Sequence, residues 1–385
     1  MTSSKLNYTS PYCFFGFNYP MEKRNTKILK YRCEKLIWNL NKFSNNISPL
    51  VEGKNVSLDK AIKEVKKIIK DSDEIHMDGF SCDQISMIEL IKFAQEKLCT
   101  CNHLEWARIS NFMINLQRFG GAFSSLNETI NRCDFLFFVG WNNEFQLLEK
   151  LIKELKNRNV KVFILTESKK FFKKANIIKV KRGGLGTELN LIINTLKYSK
   201  SNDKKYNLIS KCFNNCNYPV FVPKINNDNH DLITLFFKEL KNLNTKKPTK
   251  ILNTLFTNNA PGFINACVIK SGYPNSVSFS SSGPLYDPLE YNSSKLKDYM
   301  DLQIFVSCFE NDVKIDFFKK NIFIGHPHFV HKKKVNVFIP TKIPGVDSSG
   351  LILRPELSGV RKLRNLVKSN YPTLSDVLKM TEIKI

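Results

Sequence analysis

Residues 134–144 read DFLFFVGWNNE, and residues 301–311 read DLQIFVSCFEN. Each is an aspartate, a five-residue apolar run and a turn. Further on, VFILTESKKFFKKANIIKV (162–180) resembles IFIGHPHFVHKKKVNVFIP (322–340). Without gaps, Phe163 matches Phe323, Ile164 matches Ile324, Lys173-Lys174 match Lys333-Lys334 and Asn176 matches Asn336. The paired blocks stand 167 and then 160 residues apart, so the chain contains an internal repeat. A short continuous apolar run reads as a strand buried on both faces. Between the strands of the first copy lies NNEFQLLEKLIKELKNRN, with Phe145, Leu148, Leu151, Ile152 and Leu155 at helical spacing. The second copy has the shorter linker SCFENDVKIDFFKKN. Strands alternating with helices imply an α/β protein built from two related, doubly wound, parallel-sheet halves.

Other segments extend the pattern. The spacing predicts helices over 58–70, 83–98, 187–196 and 230–243, with Asp83 and Thr187 as caps. Strands are expected at 74–80, 218–224 and 250–257. RGGLGTE (182–188) lacks the full G-x-G-x-x-G spacing and is read as the turn into a helix. YSKSNDKKYN (198–207) is polar and reads as a linker. The expected domains are 1–55, 56–200, 206–340 and a tail, 341–385.

Composition narrows the function classes. Apolar residues make up 42% of 385, enough for a sizeable core. The longest purely apolar run is far shorter than the roughly 20 residues of a membrane helix, and the N-terminus lacks a signal-peptide pattern, so a cytoplasmic protein is expected. Ten cysteines fit a reducing compartment. Cys212 and Cys216 have the spacing of one zinc knuckle, but no second knuckle lies near, and buried free thiols are the expectation. GHPHFVHKKK (325–334) groups His326, His328 and His331. A metal site, a phosphate-binding turn or an ordinary loop could each be built from it. The net charge is +24, in a chain rich in lysine, asparagine, isoleucine and phenylalanine. No zinc finger, RNA-recognition signature or helix-turn-helix accompanies it, so an acidic small molecule or subunit is expected in place of nucleic acid.

Several blocks carry a family resemblance. GFINACVIKSGYP (262–274) matches a G-F-x-x-x-C-x-x-x-x-G-Y-P pattern through Gly262, Phe263, Cys267, Gly272, Tyr273 and Pro274. FSSSGPLYDPLEY (279–291) follows it. Asn131-Arg132, Asp134 and the VGWN ending at Asn142 match a further segment, and His326-Pro327-His328 stands where the pattern has D-P-H. Over roughly residues 10–365 the sequence resembles the B subunit of formylmethanofuran dehydrogenase, of the molybdopterin-oxidoreductase superfamily that includes formate dehydrogenase and DMSO reductase. The resemblance implies that superfamily's domains 1–3, with residues 1–55 a remnant of its iron–sulfur domain.

The departures concern its redox centres. Redox members carry an N-terminal C-P-x-C-x₃-C and a fourth cysteine for a [4Fe–4S] cluster. Here those places fall on Ser10, Cys13, Phe17 and Cys33. The metal-binding cysteine of a C-H-G-P stretch falls, by gapless counting, on Arg108, whose guanidinium has only donors. The nucleotide-turn aspartate falls on Thr166, with Glu167 one residue away. Arg108, Asn142, Thr166, His326 and His328 would then rim a vestigial pterin pocket, with no catalytic or metal-ligating residue, and both molybdopterin or tungstopterin and [4Fe–4S] are expected to be lost. Such a chain resembles the B subunit of the bacterial formyltransferase/hydrolase complex. The resemblance implies a structural role in one-carbon oxidation linked to tetrahydromethanopterin and methanofuran. Its partners would be an amidohydrolase-like subunit, a formyltransferase subunit and a C subunit. Lysines such as Lys332–Lys334 could meet the polyglutamate tail of a methanofuran-type carrier. The competing reading is a redox subunit with Cys99 or Cys101 as the metal ligand.

Overall fold

The structure is a computed structural model. It describes residues 4–12, 18–24, 27–30, 33–43, 47–142, 145–157, 159–168, 175–199, 203–255, 257–354 and 359–381. The chain forms two compact units. Unit 1 comprises Met1–Ile109 and Phe256–Ile385, and unit 2 comprises Ser110–Leu255.

Unit 1 begins with a small antiparallel sheet, β1 (Ser4–Thr9), β2 (Asn18–Arg24) and β3 (Lys27–Lys30), followed by α1 (Glu34–Asn41). A hairpin of β4 (Leu50–Val51) and β5 (Lys54–Asn55) precedes α2 (Leu58–Lys70). Then come β6 (Ile75–Ser81), α3 (Gln84–Glu96) and β7 (Thr100–Cys101), and α4 (Trp106–Phe119) carries the chain across the boundary. Asp83 caps α3 as expected, accepting from Ile85 N at 3.2 Å.

Unit 2 contains α5 (Leu126–Arg132), β8 (Phe135–Val139), α6 (Phe145–Glu154), β9 (Lys161–Thr166) and β10 (Asn176–Lys179). It continues with α7 (Leu185–Tyr198), α8 (Lys204–Asn214), β11 (Pro219–Pro223), α9 (His230–Asn244) and β12 (Lys250–Ile251). All five strands are parallel, in the order β10-β9-β8-β11-β12. Phe135, Phe137, Phe163 and Phe221 interlock between them, fully buried or nearly so. Each contributes roughly 2 kcal/mol by leaving water.

Back in unit 1, the chain forms α10 (Ala260–Ser271), β13 (Val277–Ser280), β14 (Gly283–Tyr286) and α11 (Ser293–Leu296). Next are β15 (Leu302–Ser307), β16 (Lys320–Gly325), β17 (Val337–Pro340), the hairpin β18 (Gly350–Leu353) and β19 (Val360–Leu363), and α12 (Leu374–Thr381). The nine-stranded sheet runs β14-β13-β7-β6-β15-β16-β17-β4-β5. Its central five strands are parallel.

The two parallel cores share one topology. In each, three strands wind one way from the centre, and a strand–helix–strand pair winds the other. In unit 2 the triplet β8-β9-β10 precedes the pair β11-β12, whereas in unit 1 the pair β6-β7 precedes the triplet β15-β16-β17. One unit is a circular permutation of the other. This corrects the expected domain boundaries, because β8 and β11 lie on either side of residues 200–206 yet pair in one sheet. The supposed linker leads into α8, whose cap is Asp203.

The repeat holds, but its residue register shifts. Lys161 N donates to Asp134 O at 3.0 Å, and Lys320 N to Asp301 O at 3.1 Å, so Lys161 corresponds to Lys320, 159 residues on. Asn176 pairs with Phe163 and Val337 with Ile322, so Asn176 corresponds to Val337, 161 residues on. A one-residue slip exchanges the faces of a strand. β9 and β16 are buried on both faces, so their apolar sequences look the same in either register. Lys173 and Lys174 lie outside the described residues.

No helix forms between β15 and β16. Val313, Ile315 and Phe329 instead pack over Phe305, Phe323 and Phe338, which stand side by side across β15, β16 and β17. Phe323 and Phe329 stack with ring centroids 3.7 Å apart. Among the described residues no helix is long and apolar enough to cross a membrane.

Candidate functional site

The expected cofactor positions fall in three places in unit 1 and one in unit 2. Near the N-terminus, Ser10 Oγ and Cys33 Sγ are 3.1 Å apart. Tyr12 N donates to Ser10 Oγ at 3.1 Å. Lys35 pairs with Glu310 and lies over the Tyr12 ring, 5.2 Å from its centroid. Cys13 and Phe17 lie outside the described residues. A cubane binds each thiolate to a different iron, so its ligands stand a cluster-width apart. Direct contact between the first and fourth positions, one of them a hydroxyl, does not fit that group.

The histidine turn packs against α1. His326 is fully buried, and its Nε2 lies 2.7 Å from Asn39 Oδ1. Its Nδ1 accepts from His328 N at 3.1 Å. Both ring nitrogens are therefore occupied, with the proton on Nε2. Burial, then His328 and Lys35, push its pKa down to about 3. The His328 ring meets Trp38 edge-on at 6.2 Å, and burial lowers its pKa too. Among the described residues no three His, Cys, Asp or Glu side chains are grouped to hold a metal ion. His326 and His328 both lie against the Trp38 ring of α1.

Arg108 lies within α4, where its Nη1 reaches Glu105 Oε2 at 2.7 Å and Thr257 Oγ1 at 3.2 Å. Burial would raise the Glu105 carboxyl, but Arg108, Thr257 and His103 together hold it below the usual range. The strand-end loop of this region is Asn102-His103, directly after β7. His103 Nε2 lies 3.1 Å from Asn258 O and its Nδ1 accepts from Glu105 N at 3.0 Å, so this imidazole is neutral and occupied as well. Burial lowers its pKa to about 4. The redox alternative requires a thiolate from Cys99 or Cys101. Both are fully buried, and burial pushes both thiols up.

Unit 2 does have an open crevice, of about 480 Å³. It lies at the carboxyl ends of β8, β9 and β11, where the direction of winding reverses. Open α/β sheets bind ligands at this switch point. Asn142 and Thr166 meet here. Thr166 is fully buried, its hydroxyl 2.8 Å from Trp141 O and 3.0 Å from Asn142 Oδ1. It braces the turn after β8 and does not stand in for a ribose-binding acid. The crevice carboxylate is Glu167, the first residue beyond β9. Its Oε2 accepts from Asn142 Nδ2 at 3.2 Å and its Oε1 from Gly183 N at 2.6 Å. Gly183 belongs to the glycine turn into α7, whose cap is Gly184 and not Thr187. Asp228 and Asp231 line the far side. Strand ends followed by polar residues were the available signal for Glu167, Asp228 and Asp231. Counting falls on Thr166, one residue short of Glu167.

No family model and no curated protein matches the sequence. Solved structures do. A chain of the formyltransferase/hydrolase complex from Methylorubrum extorquens, solved with methylofuran, superposes with a TM-score of 0.72 at 15% identity. The match covers 87% of this chain and 97% of that one. Acetylene hydratase from Pelobacter acetylenicus gives a TM-score of 0.59 at 9% identity, covering 97% of this chain and 69% of that one. The chain shares their fold.

Proposed function

We propose that this chain is the structural B subunit of a formyltransferase/hydrolase complex, in the methanofuran- and tetrahydromethanopterin-linked oxidation of one-carbon units to formate. One observation carries the reading: the match to the Methylorubrum extorquens chain covers 87% of this chain and 97% of that one. The contact of Ser10 with Cys33 and the occupied nitrogens of His326 and His103 support a chain without redox chemistry. Chemistry then resides in the amidohydrolase-like and formyltransferase subunits, with a C subunit completing the assembly. The +24 charge suits a carrier with a polyglutamate tail, which it would draw in electrostatically.

The test is purification of the chain with its natural partners, followed by mass spectrometry and metal analysis. An amidohydrolase and a formyltransferase should copurify, with neither molybdenum nor tungsten on this chain. Stoichiometric molybdenum or tungsten together with an iron–sulfur absorption on this chain would overturn the proposal.

A further inference from the structure

Unit 1 is made of two separate stretches of chain, the first ending at Ile109 and the second beginning at Phe256. β6 belongs to the first and β15 to the second, and the two strands pair across the join. Each is followed at once by a cysteine, Cys82 after β6 and Cys308 after β15. A bulge brings the two level. Phe305 pairs with Asp78 and Ser307 with Ser81, so Gly79 and Phe80 together stand opposite Val306 alone. Gly79 (φ +88°) and Phe80 (φ +46°) both take left-handed backbone, an uncommon state for a bulky side chain. Without the bulge, Ser81 would stand opposite Cys308. With it, Cys308 N donates to Ser81 O at 2.7 Å, and Cys82 and Cys308 are neighbours across the join. Adjacent strands lie about 4.8 Å apart, within the roughly 4.4–6.8 Å between Cα atoms that a disulfide spans. Both side chains are fully buried, and both thiols are free. After burial itself, Cys308 is the strongest influence raising the Cys82 thiol, so the two sulfurs share one environment.

We propose that Cys82 and Cys308 form a redox-sensitive clasp, which closes to a disulfide across β6 and β15 when the chain meets a disulfide oxidant. In a reducing compartment the pair stays open. Closure by glutathione disulfide takes two exchanges. The thiolate of one cysteine attacks the oxidant and one glutathione leaves. The thiolate of the other attacks the mixed disulfide at the protein sulfur and releases the second glutathione. The chain gives up two protons and two electrons, and glutathione disulfide takes them up as two glutathione molecules. Because burial shields both thiols, the exchange runs in chains that are still folding, and the bulged pairing then holds the two sulfurs together. The link joins residues 226 positions apart. It ties the two stretches of unit 1 to each other and restricts the unfolded chain over a long loop. The clasp does not depend on which complex the chain enters.

The test refolds the full chain from urea in buffers of fixed glutathione disulfide to glutathione ratio, beside a sample kept in dithiothreitol. Peptide mapping without reduction identifies the linked cysteines, and urea unfolding compares the two samples. Wild type should give the Cys82–Cys308 peptide pair as its main link, and the oxidised form should unfold at a higher urea concentration than the reduced form. Cys82→Ser and Cys308→Ser should each lose both the link and the shift. Cys82→Ala and Cys308→Ala take their place if a buried hydroxyl prevents folding. A chain that does not refold is mapped after synthesis in cells with an oxidising cytosol, where the same peptide pair is expected. Glutathione adducts without the link, a main link between other cysteines such as Cys101 and Cys267, or a link that lowers the urea midpoint would each overturn the proposal.

Discussion

Replacing Gly262 with alanine tests whether the GFINACVIKSGYP block (262–274) is architecture or chemistry. Gly262 lies near the start of α10, which packs on α3. A Cβ there would run into Asn259 Nδ2 and Gln84 Oε1 and would come within 2.6 Å of Asn259 Cγ. Gln84 can yield, since its Oε1 has no hydrogen-bond partner. Asn259 cannot: its Nδ2 donates to Cys82 O at 3.1 Å and its Oδ1 accepts from Leu353 N at 3.0 Å. Overpacking costs about 1–3 kcal/mol, and a buried group left unpaired about 1–3 kcal/mol. Better helix propensity returns at most about 1 kcal/mol. The expected net loss is about 3 kcal/mol. Gly272→Ala is the matched control. Gly272 has φ +80° and nothing within 4 Å of the new Cβ, so only backbone strain of about 1–2 kcal/mol applies. Urea unfolding, with hydrogen exchange of α3 and α10 to isolate unit 1, measures both. If Gly262→Ala costs no more than Gly272→Ala, the packing argument fails.

Three further outcomes follow from the same geometry. His326 and His103 have folded-state pKa values of about 3 and about 4, below the ordinary 6.5. The unfolded chain therefore binds more protons between those values and 6.5, and stability should fall on acidification through that window, by at most about 1.4 kcal/mol per pH unit per histidine; a His326→Gln variant should show a shallower slope in denaturant midpoints against pH. Iodoacetamide on the native chain should label the half-buried Cys33 and Cys212 first, whereas Cys82, Cys99, Cys101, Cys267 and Cys308 should react only after unfolding; rapid native labelling of Cys101 in peptide mapping would contradict its burial. If the proposed complex forms, its formyl transfer should weaken with rising salt where basic charge attracts the carrier, and neutralising Lys332, Lys333 and Lys334 should flatten that dependence, whereas a flat profile with the native chain removes the idea.

Much of the fold was legible because its signals are local. The runs at 135–139 and 302–307 are apolar enough to mark fully buried strands, and the helices at 58–70 and 230–243 followed from apolar spacing. Parity was not legible. A strand buried on both faces has no alternating pattern, so the gapless repeat alignment was one residue off at β9 and one residue off the other way at β10. Counting placed Arg108 at a cofactor position, where the structure has a helix and an ion pair with Glu105. At the end of β9, one residue separates the buried brace, Thr166, from the crevice carboxylate, Glu167.

By itself, the sequence determined a parallel α/β protein with an internal repeat and a large positive charge. These depend on residue type and short-range spacing, which any segment carries with it. Only the tertiary structure decided that the halves are permuted copies, with the pair β6-β7 taking the place that β11-β12 fill in the other unit. It alone decided that His326 points its polar edge at Asn39, that Ser10 meets Cys33, and that Glu167 reaches back to Gly183. The partners in those contacts are 287, 23 and 16 residues apart. No local pattern encodes such pairs, because strand order and the closing of loops bring them together.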